Sequence, residues 1–146
     1  MISAVVRRVK GRVQVIAGTG TNCTEKTLHL SQAAVRAGAD AVMLVSPYYN
    51  KPNQRGLYEH FSYVARGVSV PVVLYNIPGR TGVEIAVDTI ARLHADHKTI
   101  AAVKHATGSV DGASELATVS DITILSGDDP LTLPLMSIGS TGVISV

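Results

Sequence analysis

Six short apolar runs, separated by segments of helical character, constrain the fold of this chain more than any other feature. Each run is rich in Val, Ile or Leu and lacks strict polar alternation, which is typical of strands buried on both faces of a parallel sheet. A strand–helix repeat predicts an α/β protein, either a doubly wound sheet or a (β/α)8 barrel, and the pattern alone does not choose between them. The predicted strands are 13–17, 41–46, 71–75, 100–104, 122–126 and 142–146.

The segments between the runs predict helices. An amphipathic stripe begins at Leu57, and the segment 24–37 ends at Gly38, a residue that commonly stops a helix. Pro134 is expected to shorten the last helix. No linker or low-complexity tract divides residues 1–146, so we predict a single domain. Because there are six strands rather than eight and the chain ends on an apolar run, a barrel would be incomplete.

Composition excludes several classes of function. Hydrophobic residues make up 46% of the 146 residues and charged residues 16%, which is typical of a globular protein. The net charge of +2 and the absence of a dense basic stripe argue against nucleic-acid binding. No apolar run approaches the roughly 20 residues of a membrane helix. The single Cys23 fits a reducing compartment, so we expect a cytoplasmic protein.

Lys104 is the most informative reactive residue, because it directly follows the buried run that begins at Ile100. Parallel α/β folds place their sites at such strand ends. Burial favours the neutral form of an amine, which is the form that attacks a carbonyl. The other lysines have polar or glycine neighbours in sequence and are expected to be solvated. The alternative for Lys104 is a structural ion pair with Asp128 or Asp129.

Four further residues at or after strand ends are candidates. Tyr75 also ends a buried run and could move protons, although it could equally be a core tyrosine. Arg80 lies in a loop marked by Gly and Pro, where it could clamp a carboxylate, although a surface arginine is the alternative. Tyr48 and Tyr49 are adjacent between two prolines, so at least one of them is expected to line a site or an interface.

Five motifs at strand ends occur in order along the whole chain. They are Ala17-Gly18-Thr19-Gly20-Thr21-Asn22, Pro47-Tyr48-Tyr49-Asn50-Lys51-Pro52, Tyr75-Asn76-Ile77-Pro78-Gly79-Arg80-Thr81-Gly82, Val103-Lys104 and Ser126-Gly127-Asp128-Asp129. Together these motifs resemble the dihydrodipicolinate synthase and N-acetylneuraminate lyase superfamily, and the arginine after the Tyr-Asn-x-Pro stretch resembles its synthase branch. The resemblance implies a (β/α)8 TIM barrel, of which the six strands here would be the third to the eighth.

The resemblance also implies a reaction and its residues. It implies condensation of pyruvate with aspartate semialdehyde through a lysine Schiff base, giving 4-hydroxy-tetrahydrodipicolinate on the diaminopimelate route to lysine. Lys104 would form the imine, Tyr75 would shuttle protons, and Tyr49 would complete the site of a neighbouring subunit in a tight dimer, itself part of a dimer of dimers. Arg80 would hold the carboxylate of the semialdehyde. Gly127 and Ile144 match positions whose backbone groups orient pyruvate. No metal or organic cofactor is implied.

This chain departs from the family pattern in three respects. The Gly-Thr-Thr-Gly-Glu segment that normally binds the pyruvate carboxylate would precede Met1, and the final helix with its helical extension would follow Val146. His105 stands after Lys104 where Glu is usual. The alternatives are therefore another pyruvate or 2-keto acid aldolase of the superfamily, for which Arg80 is the discriminating residue, or a catalytically inactive barrel fragment. A nucleotide-binding doubly wound domain is a third alternative.

Overall fold

Six parallel strands form one sheet, and their spatial order is their order in the chain. The computed structural model describes residues 1–145. A doubly wound sheet reverses its strand order at a switch point, so the continuous order observed here excludes that alternative and fits successive strands of a barrel. The strands are β1 (Ile16–Gly18), β2 (Ala41–Val45), β3 (Val72–Asn76), β4 (Ile100–His105), β5 (Thr123–Ser126) and β6 (Gly142–Val143).

Helices connect the strands. Two of them illustrate the local rules: Asn53 caps the third helix by accepting a hydrogen bond from the Gly56 N–H at 2.9 Å, and Gly82 ends the fourth with a φ of 72°. No helix within residues 1–145 is long and apolar enough to cross a membrane. The helices are α1 (Ile2–Val9), α2 (Thr24–Arg36), α3 (Gln54–Arg66), α4 (Pro78–Thr81), α5 (Val87–Asp96), α6 (Asp111–Val119) and α7 (Thr132–Ser137).

The hydrophobic core lies between the helices and one face of the sheet. Leu44, Leu74 and Val103 of the strands pack there with Phe61 of α3 and Leu116 of α6, and all five are buried. Side chains alternate between the two faces of a strand, so their sequence neighbours lie on the opposite face of the sheet. That second face carries Tyr75 and Lys104, two of the candidate site residues.

A one-residue bulge in β4 sets the register of the central strands. Val72 is paired with Ile100 whereas Val73 is paired with Ala102, so Ala101 is the extra residue. From this point on, Tyr75 of β3 lies opposite Lys104 of β4. Bulges of this kind redirect the side chains that follow them.

The sequence prediction differs from the structure at both ends. β1 begins at Ile16 rather than residue 13, because the N–H of Val15 bonds to the Asp40 carboxylate at 2.8 Å instead of to a strand. β6 is shorter than predicted and ends at Val143, and Val146 lies outside the described residues. Helix α1 was not predicted at all. Its apolar spacing of Ile2, Val6 and Val9 is nevertheless helical.

His60 of α3 gives the fold a testable pH dependence. The side chain is buried, its Nδ1 lies 2.8 Å from Thr24 Oγ1, and its Nε2 has no hydrogen-bond partner within residues 1–145. Burial lowers the pKa of His60 from 6.5 to about 4. As the pH falls below 6.5, the unfolded chain binds a proton at His60, whereas the folded chain binds it only near pH 4. The free energy of unfolding therefore decreases as the pH falls from 6.5 to 4.

We expect the wild-type chain to lose roughly 3 kcal/mol of unfolding free energy through His60 between pH 6.5 and pH 4. The His60→Gln variant should lack this contribution, because its side chain does not titrate. Urea denaturation at several pH values measures the difference between the two chains. The exposed His29 provides the control, since His29→Gln should leave the wild-type pH dependence unchanged. Parallel pH curves for wild type and His60→Gln would contradict the assignment.

Candidate active site

Lys104 and Tyr75 lie side by side at the carboxyl ends of β4 and β3. The two residues are direct partners in the parallel register, and the Lys104 Nζ lies 4.4 Å from the centroid of the Tyr75 ring. The same register places Val45, Leu125 and Gly142 in one row with them across the sheet. An amine and a phenol are therefore adjacent on the face of the sheet that the helices do not cover.

Lys104 is buried, with 2% of its surface exposed, whereas the other four lysines of the chain are exposed. This confirms the predicted contrast between a buried strand-end lysine and solvated ones. The alternative of a structural ion pair is not observed: within residues 1–145, Lys104 forms no ion pair with Asp128 or Asp129. Because no anionic side chain among the described residues pairs with it, the Lys104 amine can meet a carbonyl substrate as a nucleophile.

Gly127 packs directly against the Lys104 side chain. A Cβ at this position would lie 2.7 Å from the Cβ of Ala106 and 2.9 Å from the Cε of Lys104. Only glycine leaves this space free. The side chain of Lys104 therefore lies between the Tyr75 ring and the backbone of Gly127.

The backbone N–H groups of Gly127 and Ile144, two residues predicted to orient pyruvate, already donate hydrogen bonds within the chain. The N–H of Gly127 donates to the His105 carbonyl at 2.8 Å, and the N–H of Ile144 donates to the Ser126 carbonyl at 2.9 Å. Both N–H groups hold the strand ends together. A substrate could therefore meet only the carbonyl oxygens of Gly127 and Ile144.

Arg80 lies in a cavity next to this lysine. The cavity has a volume of about 510 Å³ and is formed by the segments that follow β3, β4 and β5. Arg80, Thr107 and Asp128 supply its polar lining, while Ile77 and Leu131 contribute apolar surface. Lys104 and Tyr75 are not part of this lining, although Ala106, two residues beyond Lys104, is. The arginine is thus a neighbour of the lysine site rather than a direct contact.

Tyr49 is not brought to Lys104 within this chain, because its side chain is 89% exposed. The loop that carries it is well defined: the Asn50 side chain donates to the Asn22 carbonyl at 2.7 Å, which ties the loop to the segment after β1. The backbone φ angles of Tyr49 and Lys51 are 71° and 46°, values that residues other than glycine rarely adopt. Such backbone strain is typical of functional loops.

Comparison with known proteins decides the family. The model of the dihydrodipicolinate synthetase family matches residues 1–146. The chain belongs to this family. A curated relative, the 4-hydroxy-tetrahydrodipicolinate synthase of Pelobacter propionicus, is 55% identical over 148 residues, covering 100% of this chain and 51% of the relative. The chain thus spans about half the length of the curated relatives it matches.

Solved structures of family members have the same fold. The dihydrodipicolinate synthase of Aquifex aeolicus superposes with a TM-score of 0.97 at 50% identity, covering 99% of this chain and 50% of that one. The chloride-inhibited enzyme of Acinetobacter baumannii, solved in complex with pyruvate, gives a TM-score of 0.96 at 44% identity over 99% of this chain and 50% of its own. These matches confirm the predicted fold class, a (β/α)8 barrel of which this chain forms an incomplete part.

Sequence reasoning missed one residue that fixes the Arg80 segment of this family member. Asn76 is buried, its Nδ2 donates to the Ile85 carbonyl at 3.0 Å, and its Oδ1 accepts from the Ile85 N–H at 3.0 Å. The Asn76 amide side chain thereby joins the two ends of the segment that contains α4 and Arg80. Its position directly after Tyr75 in a buried strand was the available signal.

Replacing Asn76 by Ala should destabilise the chain by about 2–4 kcal/mol, since it leaves two buried backbone groups of Ile85 without partners. The midpoint of urea denaturation measures this loss. Asn50→Ala is the matched control, because Asn50 also bonds to a backbone carbonyl but is exposed and should cost less than 1 kcal/mol. Equal denaturation midpoints for the two variants would show that the hydrogen bonds from Asn76 to Ile85 do not stabilise this segment.

Proposed function

We propose that this chain supplies the Schiff-base half of an enzyme that condenses pyruvate with aspartate semialdehyde to give 4-hydroxy-tetrahydrodipicolinate. The observation that carries the proposal is Lys104: it is buried, has no ion-pair partner within residues 1–145, and lies 4.4 Å from the ring of Tyr75. Membership of the family supports the reaction class.

Lys104 is proposed to act as the nucleophile and as the electron sink. Its neutral amine adds to the keto carbon of pyruvate, water leaves, and a protonated imine results. Loss of a proton from the methyl carbon then gives an enamine, whose carbon attacks the aldehyde. The amine of the condensed product adds to the imine carbon and expels Lys104 as the ring closes. Because the imine withdraws electrons from the reacting carbon, this sequence needs no cofactor or metal.

Tyr75 and Tyr49 are proposed to move the protons that these steps require. Tyr75 is the phenol next to Lys104, so it can exchange protons with the carbinolamine and the new alkoxide. Tyr49 is exposed on a strained loop, which supports a role in the site of a second copy of the chain. We therefore propose a homo-oligomer built on a tight dimer, arranged as a dimer of dimers.

The remaining candidates are proposed to bind substrate. Arg80 is placed to hold the carboxylate of the semialdehyde, since it lines the cavity that adjoins the lysine site. The carbonyl oxygens of Gly127 and Ile144 are the groups left to orient pyruvate. Both substrates are small, water-soluble metabolites, and Cys23 is a free thiol, so we propose that the enzyme works in the cytoplasm without nucleic-acid or membrane partners.

Borohydride trapping tests the proposal. The chain is incubated with pyruvate, reduced with borohydride, digested and mapped by mass spectrometry. A reduced pyruvyl group on Lys104 is the expected result. Absence of an adduct on folded, monodisperse chain would mean that these 146 residues are an inactive fragment. An adduct without subsequent condensation of aspartate semialdehyde would favour another 2-keto acid aldolase.

A further inference from the structure

Two side-chain amides hold the last part of residues 77–86, the Arg80 segment, where it leads into α5. On one side, Asn76 bonds to both the N–H and the carbonyl of Ile85. On the other side, Gln54 bonds to the residues before and after Ile85. Neighbouring residues of an extended chain direct their polar groups to opposite sides, so the two amides take the places of the two strands that would flank such a chain in a sheet.

Gln54 is the outer of the two amides and is the first residue of α3. Its Nε2 donates to the Glu84 carbonyl at 2.8 Å. Its Oε1 accepts from the Ala86 N–H at 3.0 Å and from the Thr89 hydroxyl at 2.9 Å. This one side chain therefore ties the start of α3 to the end of the Arg80 segment and to the first turn of α5.

We propose that Gln54 is a positioning residue for Arg80. The inference rests on the proposed function, in which Arg80 binds a substrate carboxylate, and it adds the side chain that fixes the segment carrying the guanidinium. Asn76 alone would leave the segment free to pivot about Ile85, because both of its hydrogen bonds meet that one residue. The hydrogen bonds from Gln54 to the residues on either side prevent this pivoting.

A restraint at the end of the segment reaches Arg80 because the segment is braced internally. Thr81, the residue after Arg80, is buried. Its hydroxyl oxygen lies 3.0 Å from the Ile77 carbonyl and 2.8 Å from the Val83 carbonyl. The turn that carries Arg80 is thus tied to both of its flanks, and a shift at residues 84–86 would move it.

The loop that carries Tyr49 holds the same segment from a second point. Lys51 of this loop packs on Gly82, where a Cβ would lie 2.9 Å from Lys51 Cε. Gln54 follows the loop in sequence, and the side chain of Asn53 caps the helix turn that presents it, by accepting from the N–H of the third helical residue at 2.9 Å. The position of the segment is therefore set by the chain after β2 as well as by β3.

Amide hydrogen exchange tests whether Gln54 restrains the segment. The N–H groups of Thr81 and Gly82 bond to carbonyls within the segment, so neither loses its own partner when Gln54 is replaced. We expect Gln54→Ala to speed the exchange of both amides about tenfold, because local opening then breaks fewer hydrogen bonds. Exchange is followed residue by residue by NMR.

Two further variants serve as controls for this measurement. Gln32→Ala is the matched control, because Gln32 also joins two elements through a backbone carbonyl, that of Gly67 at 3.1 Å. It should leave the exchange of Thr81 and Gly82 unchanged. Gln54→Glu can still accept from the Ala86 N–H but cannot donate to the Glu84 carbonyl, so it should exchange at an intermediate rate.

Steady-state kinetics test whether the restraint acts through Arg80. Gln54→Ala should raise KM for aspartate semialdehyde about tenfold, since a mobile guanidinium has to be ordered on binding. The rate of pyruvate trapping should not change, because Lys104 lies on β4, outside the segment. In an Arg80→Ala background, Gln54→Ala should not raise KM further, whereas a residue that acted elsewhere would add its own effect in both backgrounds.

Unchanged exchange of Thr81 and Gly82 in Gln54→Ala overturns the inference, and so does an effect on KM that is equally large in the Arg80→Ala background. Failure of the proposed function is seen separately, as wild type that forms no pyruvate adduct on Lys104 or an adduct that does not condense. The exchange rates then decide alone: faster exchange in Gln54→Ala with an unchanged control supports the restraint by Gln54, and equal rates refute it.

Discussion

Lys104→Met should eliminate the borohydride-trapped pyruvate adduct entirely, with no loss of conformational stability. The substitution removes the only buried amine among the lysines and fills the same space with an apolar side chain of similar length. A lysine that served as a structural partner would behave differently, because breaking a buried ion pair typically costs about 3–5 kcal/mol. No such pair involves Lys104 within residues 1–145.

The measurement combines mass spectrometry of the reduced chain with urea denaturation. Lys98→Met is the matched control: Lys98 is exposed, so this variant should retain the full yield of adduct. A residual adduct in Lys104→Met would show that another lysine forms the imine. A denaturation midpoint far below that of wild type would instead support a structural role for Lys104.

Gly127→Ala should lower the rate of pyruvate trapping by about 10²-fold, the order of loss expected when a reacting group is displaced by about 1 Å. The added methyl group would lie 2.7 Å from the Cβ of Ala106 and 3.0 Å from the Cγ of Lys104. Neither atom is the free end of a flexible side chain. The lysine stem therefore has to move away from Gly127, and the Nζ moves with it.

Gly142→Ala provides the control for this substitution. Gly142 lies in the same row of the sheet as Lys104, but a Cβ there would meet its nearest atom, Leu125 Cδ2, at an ordinary contact distance of 3.6 Å. Trapping rates are compared by quenching with borohydride at successive times, and circular dichroism verifies that both variants are folded. If the two variants trap pyruvate equally fast, close packing of Gly127 on Lys104 does not matter for imine formation.

Much of the fold could be predicted because its determinants are local. Buried parallel strands have continuous apolar runs, and β2, β3, β4 and β5 were each located to within about two residues. Strand-end residues such as Lys104 were recognised as candidates because parallel strands present their carboxyl ends at one edge of the sheet. The elements that were displaced, shortened or missed are β1, β6 and α1. β1 and β6 are the edge strands of the described sheet, so each pairs with a neighbouring strand on one side only.

The site was predictable in part. Lys104 and Tyr75 were identified as candidates from their place at the ends of apolar runs, and the structure shows that they are adjacent. The double hydrogen bond from Asn76 to Ile85 and the packing of Gly127 on Lys104 were not foreseen. The first joins two residues of one short segment through side-chain hydrogen bonds, and the second depends on the absence of a side chain. Neither leaves a periodic signal in the sequence.

The sequence by itself determined which residues end the buried strands, since hydrophobic runs and the reactive side chains that follow them are properties of contiguous residues. Only the tertiary structure decided that Lys104 faces Tyr75. If β4 had no bulge and Ala101 were paired with Val73, Tyr75 would lie opposite Val103, and Lys104 would lie opposite Asn76. Register depends on pairing between strands far apart in the chain, and because side chains alternate, one residue of slip moves each of them to the other face.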